Sequence, residues 1–251
     1  MPTLINNIAK ASVDLSQYPM SQQVTHQFYL GRYHLYQLDL RRAERELSFA
    51  FRNRPSLSND EDSDRIIYTN GRLMLLYLTA CRLCLGLFPS EQLLHEYDLH
   101  SYFAPLMKAI KSGDLNLLQQ TLSVPIFVAW LVKKEIYFLL KEKLDVLCWR
   151  SLIRRTCLVS RSLSNPPQMR VPLDGLLDVA RALTRDTSYD IFDVECITAS
   201  LLDQVGATCY YCGLTVRFDM FYRVLMLNRS LSILGLHQGV YTLEEKGSCL
   251  E

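Results

Sequence analysis

Between Lys141 and Arg170 the basic residues Lys141, Lys143, Arg150, Arg154, Arg155, Arg161 and Arg170 face only Glu142 and Asp145, a local excess of +5. On a helix, spacings of four and seven put Arg150, Arg154 and Arg161 on one stripe. Such a stripe neutralises phosphates through charge and bidentate guanidinium hydrogen bonds. Arg217, Arg223 and Arg229 extend the set further along the chain. Beside them Tyr210, Tyr211, Phe218 and Tyr222 offer rings for stacking on unpaired bases, or an apolar contact for a protein partner. The competing reading is a solvated helix face with aromatics that pack locally, because a basic patch is necessary for electrostatic binding but not sufficient.

Other chemistry is thin. Cys81/Cys84 and Cys209/Cys212 have the C-x-x-C spacing of half a zinc site, yet the halves are over a hundred residues apart and the first lies in an apolar helical pattern. The eight cysteines are therefore expected as reduced, mostly buried thiols, with no metal. His95 and His100 are five apart, which puts them on different faces of a helix, and no H-E-x-x-H pair occurs among the five histidines. The ten glycines are scattered, with no phosphate-cradling loop and no G-x-S-x-G elbow. The acids between Ser56 and Asp64 lack the glycine and terminal Glu of a calcium loop and read as a solvated loop. No catalytic residue and no cofactor are expected, so the sequence points to a non-enzyme.

The elements that must position these residues are helical. The chain has 251 residues, 49% apolar and 21% charged, with a formal charge of +1, which suits an ordered globular protein and not a chain-wide nucleic-acid binder. The first sixteen residues hold one Lys and no apolar core for a signal peptide, so secretion is not expected. Leu73–Cys81 and Leu122–Val132 fall far short of the roughly 20 residues that cross a bilayer, so no membrane insertion is expected.

From Gln22 to Arg52 the periodicity predicts two helices about a tight turn at Asp39, with small residues at Gly31, Ala43 and Ala50 where two helices must approach closely. Ser112-Gly113-Asp114-Leu115 repeats that turn chemistry further on. A helix apolar on nearly all faces runs from Arg72 to Leu87, and Ser90 caps the next. Another covers Tyr102 to Ile110, and one long helix follows Pro125 through Trp130, Leu131, Ile136 and Leu140. Helices are then expected at 152–163, 173–183 and 190–205, the last with Asp190, Asp193, Glu195 and Asp203 as its charges. Four acids and no base are the wrong sign for a major groove, so any nucleic acid bound is expected to be single-stranded. Short strands at 208–211 and 223–227 complete the order of a winged helix. The expected organisation is a poorly ordered or partial helix over 1–21, helical repeats over 22–145, a winged helix over 146–235 and a tail over 236–251.

Several blocks resemble one family. Tyr29-Leu30-Gly31-Arg32-Tyr33-His34, Glu46-Leu47-Ser48-Phe49-Ala50-Phe51, the runs Arg72–Leu78 and Leu85–Ser90, and Ala109–Leu115 occur in the order seen in the PCI-domain family, over residues from about 25 to 230. The resemblance implies a mainly α fold: a solenoid similar to tetratricopeptide repeats, followed by a winged helix with a small β-hairpin. It implies a subunit of the mRNA-export assembly called transcription-export complex two, nuclear and pore-associated with some cytoplasmic pool. The partners it implies are a large PCI scaffold of the germinal-centre-associated nuclear protein type, a small acidic proteasome-lid protein, and RNA or single-stranded DNA. The alternative is a protein-only subunit of a COP9 signalosome-type or other PCI complex; Glu46–Phe51 looks more like the export branch. Members carry more helical repeat ahead of the Tyr29 block than the 28 residues here, so a truncated, spliced or divergent member is expected.

Overall fold

The computed structural model describes residues 15–56, 60–163 and 173–205. These form ten α-helices: α1 Met20–Tyr36, α2 Leu40–Arg52, α3 Glu61–Cys84, α4 Glu91–Glu96, α5 His100–Ser112, α6 Leu115–Thr121, α7 Pro125–Lys133, α8 Tyr137–Leu163, α9 Leu173–Thr184 and α10 Ile191–Val205. The mainly α fold is thus present, and no strand occurs among the described residues. The hairpin expected at 208–227 lies outside them. No single helix among the described residues is long and apolar enough to cross a membrane.

The α1–α2 hairpin forms as its small residues dictate. Gly31 is buried, and a Cβ there would stand 2.7 Å from Leu47 Cγ, so the two helices approach as closely as they do because position 31 has no side chain. Phe28, Leu35, Ala43, Leu47 and Ala50 are buried in the shared core. At the turn, the Asp39 side chain accepts from the Arg42 N–H at 3.2 Å and caps α2.

One device closes most of the hairpins. After α1, α3, α4, α5 and α7 a residue adopts positive φ, namely Leu38, Gly86, Asp98, Gly113 and Glu135. In each case the next N–H reaches back to the carbonyl five residues earlier: Asp39 to His34, Leu87 to Arg82, Leu99 to Leu94, Asp114 to Ala109 and Ile136 to Leu131. This is the Schellman closure, which satisfies carbonyls the helix end leaves free. Only two of the five are glycines.

Three expectations need correction. The acids before Asp64 are not a free loop: Asp60 caps α3 by accepting from the Ser63 N–H, and Glu61, Asp62 and Asp64 fill its first turn, where the helix dipole favours negative charge. The helix after Pro125 is two helices, broken at Lys134–Glu135, where Glu135 has φ 59°, and the second continues to Leu163, so the helix expected to begin at 152 is its C-terminal part. His95 and His100 belong to different helices, α4 and α5, and their rings stack at 3.7 Å.

The second half of α3 is buried all round, with Leu75, Leu76, Tyr77, Leu78, Thr79, Ala80 and Cys81 inaccessible in succession. Facing it is α8, 27 residues and about 40 Å long. It runs unbroken through residues 145 and 146 and packs against α3, α5, α6, α7, α9 and α10. Cys81, Cys84, Cys148 and Cys157 are buried free thiols, as expected, whereas Cys196 is exposed.

Candidate nucleic-acid interface

α8 carries the basic residues singled out in the sequence. Arg150, Arg154 and Arg155 are all exposed on its C-terminal half, but they do not share one role. At about 100° per residue, Arg150 and Arg154 lie within about 40° of each other, while Arg155 turns about 100° away from Arg154. Arg155 accordingly reaches α5, where its Nη1 donates to the Ser112 carbonyl at 2.8 Å. That carbonyl is one of those left free at the end of α5, so Arg155 both caps a helix and brings a cation to its negative pole.

Arg150 lies beside the turn after α3. Its Nη2 sits 3.0 Å from where a Cβ on Gly86 would be, so the missing side chain leaves the guanidinium its place. None of the ion pairs among the described residues uses Arg150, Arg154 or Arg155. Their charges are therefore not neutralised by a carboxylate among the described residues. Arg161 lies on α8, with its side chain outside the described residues. Arg170, Arg217 and Arg223, together with Tyr210, Tyr211, Phe218 and Tyr222, also lie outside them.

The structure adds two cations that sequence reasoning passed over. Lys108 and Lys111, one turn apart on α5, are exposed and line a cleft of about 420 Å³ together with Met107, Ser112, Glu91 and Arg155. Lys111 Nζ stands 5.0 Å from the centroid of the Phe88 ring, a cation–π contact that fixes the ammonium near the cleft. The signal was present as a Lys-x-x-Lys pair in the last turns of a helix. That pattern equally serves the helix dipole, and only the packing of α8 on α5 brings Arg155 to it.

The two acids at the start of α10 engage each other. The Asp190 N–H donates to Asp193 Oδ2 at 2.9 Å and the Asp193 N–H to Asp190 Oδ1 at 2.8 Å, a reciprocal cap at the helix start. Glu195 is buried. Among the described residues no three His, Cys, Asp or Glu side chains gather in a cluster able to hold a metal ion. Burial pushes the thiols of Cys81, Cys84 and Cys148 up to about 12, which leaves them protonated and unreactive near neutrality.

Closely packed helical hairpins of this kind define a helical-repeat module. A PCI domain-containing protein of Schizosaccharomyces pombe is 39% identical to this chain over 202 residues, 80% of this chain and 43% of that protein. PCI domain-containing protein 2 of Danio rerio is 33% identical over 192 residues, 74% of this chain and 42% of that protein. Enhanced ethylene response protein 5 of Arabidopsis thaliana is 29% identical over 202 residues, 80% of this chain and 45% of that protein. No family model matches. The chain belongs to the PCI-domain family. It spans about two fifths of the length of the curated relatives it matches.

Proposed function

We propose that this chain is a non-enzymatic adaptor subunit of a nuclear mRNA-export complex, contributing a basic surface for RNA or another single-stranded nucleic acid. The observation that supports it best is the set of unpaired cations on two adjoining faces: Arg150 and Arg154 on one flank of α8, and Lys108, Lys111 and Arg155 around the cleft between α8 and α5. A single strand is flexible enough to follow both groups. Duplex readout would require a helix to present hydrogen-bonding side chains to a major groove, and the first acids of α10 are tied into its own cap. The same reading places the chain at the nuclear pore with some in the cytoplasm. There it docks on a large scaffold of the germinal-centre-associated nuclear protein type and a small acidic proteasome-lid protein.

Fluorescence anisotropy with a labelled 20-nucleotide single-stranded RNA across a salt series tests the nucleic-acid part. Arg150→Glu with Arg154→Glu, and separately Lys108→Glu with Lys111→Glu, are expected to weaken binding while leaving the thermal melt in place. The slope of log affinity against log salt should fall by about 0.7 for each phosphate that a replaced cation no longer neutralises. Arg155 is left unchanged in both variants because it also caps α5. Unaltered affinity in two folded variants would remove these faces as the site and favour a protein-only subunit of a signalosome-type complex.

A further inference from the structure

α6 and the first turns of α8 enclose a groove of about 840 Å³, walled by Leu118, Leu122, Tyr137, Phe138 and Val146. Phe138 is 78% exposed, the most of any aromatic side chain among the described residues, and the chain leaving the groove at Ser123 continues with exposed Val124 and Ile126. Apolar side chains gathered around a concavity mark an interaction surface in a way that scattered ones do not.

The groove also holds a carboxylate without a partner. Asp145 is half-buried in its lining, and it takes part in no hydrogen bond or ion pair among the described residues. Lys141, one turn earlier, does not serve it: its ammonium lies 5.9 Å from the centroid of the Tyr137 ring. Glu142 is paired with Lys143 at 3.2 Å. Burial alone pushes the Asp145 carboxyl above its usual range, so the free protein bears a desolvation cost that no internal contact offsets.

We propose that this groove docks an amphipathic helical segment of another protein, whose apolar side covers Phe138, Tyr137 and Val146 and whose Lys or Arg pairs with Asp145. A channel between two helices has the shape for a third helix, and a half-buried, unpaired carboxylate beside apolar side chains, in a lining that also holds Gln119, Ser123, Lys141 and Glu142, favours a cation from it. The groove lies apart from the arginines proposed for RNA: Phe138 and Arg154 are about 24 Å apart along α8 and about 160° apart around it. The proposal therefore stands or falls independently of RNA binding.

The test uses the full chain and three fluorescein-labelled 16-residue helical peptides of Leu, Ala and Gln that differ only in carrying Lys, Gln or Glu at one position beside the apolar face. The Lys peptide is expected to bind about fivefold more tightly than the Gln peptide, with the Glu peptide weakest. Asp145→Asn should abolish the preference, Asp145→Lys should invert it, and Phe138→Ser should weaken all three about tenfold with the circular-dichroism melt retained. Several results would overturn the proposal: no binding at millimolar peptide, equal binding of the three peptides, a Lys preference that survives Asp145→Asn, or indifference to Phe138→Ser. A dimer in sedimentation equilibrium that is lost in Phe138→Ser would assign the groove to a second copy of the chain instead.

Discussion

Replacing Gly113 with Ala perturbs the junction that seats α8 on α5. Gly113 has φ +70°, and an added Cβ would lie 2.6 Å from Leu152 N and 2.8 Å from Leu152 Cα. Two costs combine. Holding an L-residue in the left-handed region costs about 1–2 kcal/mol. Forcing a methyl against the backbone of a packed helix costs about 1–3 kcal/mol more, because backbone, unlike a side-chain tip, cannot swing aside. Reduced freedom of the unfolded chain returns about 0.4–1 kcal/mol, leaving a net loss of about 2–4 kcal/mol. Gly86→Ala is the control, since Gly86 has φ +75° but its nearest neighbour is the guanidinium tip of Arg150 at 3.0 Å. It bears the conformational cost alone, about 1 kcal/mol. Urea denaturation followed by helical circular dichroism measures both. A loss for Gly113→Ala no greater than that for Gly86→Ala would refute the close-approach argument.

Further outcomes follow from other interactions. Burial would raise the Glu44 carboxyl, but hydrogen bonds from Ser48 and Arg82 together outweigh it and hold it below its usual range. The stability this contributes is present above the unfolded value near 4.5 and is lost as pH falls through the lower folded value. Glu44→Gln should therefore destabilise by about 1 kcal/mol at pH 7, with the gap from wild type narrowing as melts are taken to acid below 4.5. Asp145 has the opposite sign, so Asp145→Asn should raise the melting temperature at pH 7 and give no gain below pH 3.8; a lowered melting temperature at pH 7 would show a hidden partner for the carboxylate. Brief alkylation of native protein, mapped by mass spectrometry, should modify Cys196 and spare Cys81, Cys84 and Cys148 until urea is added. Asp114 accepts from the Leu117 N–H at 2.9 Å, and Asp114→Ala should cost about 1 kcal/mol in the same urea assay.

The parts of the fold that the sequence announces are those where local chemistry and tertiary need coincide. Gly31 and Ala43 mark the close hairpin, Ser90 caps its helix by accepting from the Leu93 N–H, and Gly113 sits where a left-handed residue is required. Where they do not coincide, the reading fails. Leu38, Asp98 and Glu135 take positive φ with no glycine to signal it, which is why the break after Lys133 passed unseen. The acidic start of α3 resembles a loop because cap residues and loop residues are the same types. At the basic site, periodicity places Arg150 and Arg154 correctly. It cannot place Arg155 on the Ser112 carbonyl or bring Lys108 and Lys111 beside it, since both depend on how α8 crosses α5.

That α8 runs unbroken has a mechanical meaning. A linker would let the hairpins ahead of it and the helices behind it wander independently, each sampling its own orientations. A single rod that packs against helices on either side of it in the chain removes that freedom. It acts as a ruler, fixing the span and the angular offset between its basic end and the groove at its start. If both proposed sites are used, the ligand of one is presented at a set distance and azimuth from the ligand of the other, with no ordering left to do at the moment of assembly.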